Sequence, residues 1–284
     1  MRPLVTDSIT SLPPGAAGQP IVCASHGGLY SACCALEADV SAAIFSDAGI
    51  GKERAGVAGL DLLDSSGVAA VAVSHRSARI GDGADCFRRG VVSTVNRAAQ
   101  AVGAAPGMST EAVWRLFAER CGRASHLGDT LPRIAEARHA VPGFGAMPVV
   151  AMDSNSLVTE ADRNAVVVTG SHGGLLGGDP QSAIKLDVFA AIYNDADVGI
   201  DEAGIGRLAP LNARGIAAVT VSAWSARIGD GRSTVTDGVL SHANALATRF
   251  GALRGQTVRH WLSLLSEAWA TRQSDFSLPQ RHHQ

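Results

Sequence analysis

Ser77-Ala78-Arg79-Ile80-Gly81-Asp82-Gly83 recurs unchanged as Ser225-Ala226-Arg227-Ile228-Gly229-Asp230-Gly231. Seven consecutive identities exceed what one turn demands, which points to two copies of a unit within the chain. Moving outward, more than half of the positions in 67–104 match 215–252, and Ala43-Ile44-Phe45-Ser46-Asp47-Ala48 parallels Ala191-Ile192-Tyr193-Asn194-Asp195-Ala196. Ser25-His26-Gly27-Gly28 returns as Ser171-His172-Gly173-Gly174, and Asp7-Ser8 as Asp153-Ser154. A helix around Trp114 aligns with one around Trp261-Leu262, and the second copy carries two extra residues between 176 and 182. The expected division is a first repeat over 1–125, a connector over 126–146 bearing Pro132, Pro142, Gly143 and Gly145, a second repeat over 147–272, and a loose tail over 273–284.

Each copy reads as β-α-β-α-β-α. Residues 21–24 and 165–169 are short apolar runs that stop at a glycine turn, and 41–45 and 188–193 read as second strands. Residues 68–74 and 216–222 are continuous apolar runs of the kind buried in parallel sheets. Between them, 55–63 has helical spacing and ends near Gly67, a plausible C-cap. A helix from about 88 to 103 is expected next, with Gly90, Ser93 and Asn96 (and Gly238, Ser241 and Asn244) on one face. The fold class is therefore α/β: an internal duplication of a Rossmann-like βαβαβα unit, with parallel sheets and halves related by a pseudo-two-fold axis.

Composition narrows the function. Of 284 residues, 46% are hydrophobic and 18% charged, with mean hydropathy +0.14, enough to bury a substantial core. A net charge of −2 without a basic run leaves no electrostatic footprint for nucleic acid. No apolar stretch reaches the roughly 18 residues of a membrane span, and the N-terminus makes a poor signal peptide, so a cytoplasmic protein with no membrane partner is expected. All five cysteines precede residue 122, so neither disulfides nor a structural zinc is required by a unit whose second copy has none.

The polar residues shared by the copies fall just after strands, and in open α/β sheets ligands bind at the carboxyl ends of strands. Ser25, Gly27 and Gly28, with Ser171, Gly173 and Gly174, form turns that can offer backbone N–H groups to an anion. This turn is similar to the His-Gly-Gly oxyanion turn of α/β-hydrolases, but no G-x-S-x-G occurs and that fold has one such loop, so the family is set aside. His26 and His172 are the only histidines present in both copies, and Asp47 and Asp195 stand at the neighbouring strand ends. These four are the candidate catalytic residues: histidine as general acid or base, aspartate as its orienter. Ser74, Ser77, Arg79 and Asp82, with Ser222, Ser225, Arg227 and Asp230, complete the candidate substrate contacts, the arginine fork suiting a carboxylate or phosphate. An Arg79–Asp82 ion pair holding the loop is the bland alternative.

Other signatures fail. There is no G-x-x-x-x-G-K-[ST], and the only lysines are Lys52 and Lys185. Gly204-Ile205-Gly206-Arg207-Leu208-Ala209 fits G-x-G-x-x-A formally but follows Asp201-Glu202 rather than a strand. No metal-binding spacing exists, so no metal ligands are assigned and no organic cofactor is expected, although a divalent metal assembled from distant turns is possible. The expected function is an enzyme acting on a small anionic metabolite, a carboxylate or amide-containing acid, with hydrolysis preferred and a homo-oligomer possible. The alternatives are a non-catalytic metabolite-binding or assembly protein and a metal-dependent lyase.

Overall fold

The computed structural model describes residues 2–122 and 133–276, with only the backbone for 272–276. The chain is a mixed α/β protein with two sheets. The first contains β1 (Leu4–Thr6), β2 (Pro20–His26), β3 (Ala42–Ser46), β4 (Ala69–Val73) and β5 (Val92–Val95), side by side in that order. All are parallel except β5, which runs antiparallel to β4. Its helices are α1 (Leu29–Glu37), α2 (Gly59–Ser65), α3 (Gly83–Arg89), α4 (Arg97–Ala101) and α5 (Thr110–Arg120). The second sheet contains β6 (Arg138–Ala140), β7 (Val149–Met152), β8 (Val166–His172), β9 (Ala190–Asn194), β10 (Ala217–Val221) and β11 (Leu240–Ala243), ordered from β11 to β6. Only the edge strands β6 and β11 are antiparallel to their neighbours. Helices α6 (Leu208–Ala213), α7 (Gly231–Asp237), α8 (Ala245–Arg249) and α9 (Val258–Phe276) belong to this half.

Both faces of each sheet are covered, which explains why the central strands are apolar throughout rather than alternating. In the first half, Ile21, Phe45 and Ala70 pack with Leu36, Leu60 and Leu63 on one face, and Val22, Ile44 and Val71 with Trp114 and Phe117 on the other. In the second, Val167 and Tyr193 pack against Leu208 and Leu211, and Val168, Ile192 and Val219 against Trp261, Leu262 and Leu265.

Two expected helices need correction. The expected helix over 88–103 is α3, then β5, then α4, so Gly90, Ser93 and Asn96 do not share a helix face. Gly90 is the C-cap of α3, Val92-Ser93-Thr94-Val95, three of them β-branched, pairs with β4, and Asn96 caps α4. The helix expected after β8 is absent among the described residues. Where the first half has α1, the second has turns through Gly177 (φ 58°) and Gly178 (φ 75°) and a 3-10 segment Pro180–Ala183. Two glycines at positive φ followed by a proline break a helix there. The expected connector also contributes the edge strand β6, and α9 runs to Phe276, past the expected start of the tail. Residues 126–132 of that connector and 277–284 of that tail lie outside the described residues.

The sheets face each other through their strand-end loops. Ala48, Ile80, Ala196 and Ile228 form a small buried apolar cluster between them. The Lys52 N–H donates to the Ala223 carbonyl and the Ile200 N–H to the His75 carbonyl, each at 2.8 Å, at equivalent places in the two halves. Among the described residues no helix is long and apolar enough to cross a membrane.

Candidate active site

The strand ends of β2 and β8 border a cavity of about 720 Å³, within the usual size range of small-molecule sites. Its walls are the loops 8–11 and 153–156, the connector residues 134–136, the segment 181–185 and the loop 227–230. Both shared histidines line it.

Each histidine is held in the same way. The Gly28 N–H donates to His26 Nδ1 at 3.2 Å and the Gly174 N–H to His172 Nδ1 at 3.1 Å. With Nδ1 as acceptor, the neutral ring carries its proton on Nε2. Each ring then packs on the opposite half: a Cβ on Gly229 would stand 3.1 Å from His26 Cε1, and one on Gly81 3.1 Å from His172 Cε1. The two recurring motifs are thus two sides of one contact, Ser-His-Gly-Gly of one half resting on Arg-Ile-Gly-Asp of the other. Burial lowers His26 to about 4. Burial also lowers His172 well below its usual value, with the nearby charge of Arg207 adding to it. Both rings are neutral near pH 7, able to donate from Nε2 and poorly placed to accept a proton.

The aspartates expected to orient these histidines are elsewhere. Asp47 Oδ1 accepts from the Gly49 N–H (3.0 Å), the His75 N–H (2.9 Å) and His75 Nδ1 (2.9 Å). Asp195 Oδ1 accepts from the Asp197 and Ala223 N–H groups. They pin the turns that follow β3 and β9 and do not line the cavity. The glycine N–H groups are also engaged: Gly27 donates to Ser46 O and Gly173 to Asn194 O, while Gly28 and Gly174 serve their own histidines. None of the four is free to receive an oxyanion. Glycine is needed there for close packing, since a Cβ on Gly173 would collide with the Gly204 carbonyl.

The arginines of the shared loop are neutralised within the protein. Arg79 pairs with Asp82 (2.8 Å) and with Asp201 of the other half (3.2 Å). Arg227 pairs with Asp230 (2.9 Å) and with Glu53 of the other half (3.1 Å). Asp82 and Asp230 also cap α3 and α7. Ser77 and Ser225 close the same loops, each accepting a backbone N–H at 2.9 Å, and Ser74 and Ser222 accept the Arg76 and Trp224 N–H groups. Of the sequence candidates, the cavity gathers Ser25, His26, Gly28, Ser171, His172, Arg227 and Asp230; the others stand outside its lining. Ser25 and Ser171 accept the Ile9 and Asn155 N–H groups, which fixes the loops 8–11 and 153–156 over the strand ends.

The cavity also holds residues that sequence reasoning missed. Glu136 comes from the connector and accepts from Ser156 Oγ at 3.3 Å. Burial raises its pKa, and the neighbouring charge of Asp153 adds to this against the opposing hydrogen bonds. Arg207, which precedes α6, is 3% exposed; its Nη1 donates to the carbonyls of Ser182 (2.6 Å) and Ala183, and it lies over the Tyr193 ring. Lys185 Nζ donates to the Ser156 carbonyl at 2.6 Å. None of the three lies in a stretch of sequence that recurs, so the recurrences do not point to them. Among the described residues no three His, Cys, Asp or Glu side chains converge on a metal site. Comparison with known protein families, curated proteins and solved structures finds no match for this chain.

Proposed function

We propose that the chain is an internal duplication of a Rossmann-like unit, and that its halves, related by a pseudo-two-fold axis, form an enzyme acting on a small anionic metabolite. The observation that carries this reading is the meeting of His26 and His172, one from each half, in a cavity of about 720 Å³ at the carboxyl ends of parallel strands. That is where open α/β sheets bind ligands. Two neutral imidazoles with Nε2 protons suit the stabilisation of negative charge developing on a carbonyl oxygen. Glu136, its pKa raised toward the working range of a general base, is the group fitted to move a proton. We favour hydrolysis of an amide by a water that Glu136 activates. A covalent serine route fits less well, because the Oγ atoms of Ser25 and Ser171 are bound to backbone N–H groups rather than to a histidine.

The test is turnover of a panel of small amide-bearing carboxylates, followed by amine release. Glu136→Gln is expected to lower kcat by about 10²- to 10⁴-fold, the usual contribution of a positioned acid or base, with substrate binding retained. Equal rates for Glu136→Gln and the wild type would remove Glu136 from the mechanism. Binding without turnover in the wild type would favour a non-catalytic binding protein, a reading that the engaged glycine N–H groups also support.

A further inference from the structure

Resting on that reading of the cavity, we propose that Arg207 receives the anionic end of the substrate, and that this end is a carboxylate. Arg207 is 3% exposed and lines the cavity, yet no carboxylate among the described residues forms an ion pair with it. Arg79, Arg89, Arg138, Arg214 and Arg227 all have acidic partners. A lone buried charge is expensive, and buried charges are ordinarily paired. The contacts Arg207 does have hold it in place without supplying a negative charge. Nη1 is fixed by the Ser182 and Ala183 carbonyls, and the guanidinium carbon lies 5.2 Å from the centre of the Tyr193 ring. Nε is buried and donates to nothing among the described residues. Nε is thus a buried donor left without an acceptor, which a planar carboxylate bound by two parallel hydrogen bonds would satisfy.

The fold does not require an arginine there. The equivalent position in the first half is Gly59, and the two residues make the same backbone bond: Gly59 N–H to Gly27 O at 2.9 Å, and Arg207 N–H to Gly173 O at 2.8 Å. The carbonyls that fix Nη1 belong to the 3-10 segment that stands in place of a helix. Lys185, just after that segment, adds a second cation to this wall, without an acidic partner among the described residues. Glu136 lines the same cavity from the connector.

Calorimetric titration of the full chain with acetate, succinate and inorganic phosphate tests the assignment. The wild type should bind the carboxylates, and Arg207→Met should weaken that binding by about 10- to 100-fold, the value of charge-assisted hydrogen bonds. Without ligand, Arg207→Met should melt at or above the wild-type temperature, because an unpaired buried charge has been removed. If Arg207 only braces the 182–183 carbonyls, the variant melts earlier and binds carboxylate as before, which overturns the proposal. Should Arg207→Met fail to fold, Arg207→Lys keeps the charge without the fork, and carboxylate affinity equal to the wild type's overturns it equally. Preferred binding of phosphate, or no binding of any of the three anions, also overturns it. Succinate binding that depends on Arg207 in a protein that turns nothing over would defeat the enzymatic reading and leave this one standing.

Discussion

Asp47 is 2% exposed, and its two carboxylate oxygens accept from Gly49 N–H, His75 N–H, His75 Nδ1 and Ser93 Oγ. The turn it closes is left-handed: Ala48 has φ 47° and Ile50 φ 63°, and Ala196 and Val198 repeat these values after β9. Left-handed backbone is costly for any residue with a side chain, and more so for a β-branched one. The carboxylate offsets part of that cost by tying the turn to the loop of the next strand. Asp195→Ala removes one buried and one part-buried hydrogen bond and leaves the Ala223 and Asp197 N–H groups without their partner. A loss of about 2–4 kcal/mol is expected in urea unfolding; a loss under about 0.5 kcal/mol would show that the turn holds itself. The sequence placed these aspartates correctly at strand ends but could not separate an orienter of histidine from a pin of a turn. Both are short carboxylates after a strand, and the difference lies in which neighbouring strand end reaches them.

Asn96 shows the same ambiguity one level up. Its Oδ1 accepts from Ala70 N–H (3.0 Å) and Ala99 N–H (2.9 Å), and its Nδ2 donates to the Val68 carbonyl (2.9 Å) and the Leu60 carbonyl (3.3 Å). One buried amide therefore joins α4, β4 and α2, and Asn244 does the same in the second half. Asn96→Ala should cost about 2–4 kcal/mol, because the Ala70 N–H in the middle of the core loses its acceptor. A midpoint shift in chemical denaturation smaller than that of a surface asparagine would refute the joint. The parallel strands were legible because buried runs such as 68–74 are apolar end to end. The segment 88–103 was not, since Gly90, Ser93 and Asn96 satisfy helical spacing while Val91, Val92 and Val95 favour a strand. Pairing with β4 decided between them, and pairing is a tertiary fact. The lost helix of the second half was partly legible in Gly177, Gly178 and Pro180.

Across the whole molecule, the recurring motifs stand at strand ends, where Ser-His-Gly-Gly of one half packs on Arg-Ile-Gly-Asp of the other. Glu136, Arg207 and Lys185 line the same cavity as the shared His26 and His172 but lie outside the recurring stretches, so the recurrence does not point to them. His75 is a further unshared residue, and it links the halves: Nδ1 lies 2.9 Å from Asp47 of its own half and Nε2 3.1 Å from Asp197 of the other. Burial opposes its charge, but the Asp47 hydrogen bond and the two carboxylates outweigh burial and raise its pKa above the ordinary 6.5. A histidine raised in the folded state contributes stability that is fully present below its unfolded pKa and is lost as pH rises through the folded value. His26 and His172 act in the opposite sense. Their pKa values are lowered, so their contribution is present above about 6.5 and fades as pH falls, for His26 toward about 4. Stability should therefore peak near neutrality. His75→Ala isolates the alkaline arm, and the second half already carries Ala223 at this position with the equivalent backbone bond intact, its N–H to Asp195 at 2.8 Å. The variant should fold, lose about 1–2 kcal/mol near pH 6 relative to the wild type, and show a smaller deficit as pH rises through the raised His75 pKa. A deficit that stays constant from pH 6 to pH 9 would mean that His75 joins the halves by packing alone, without its charge.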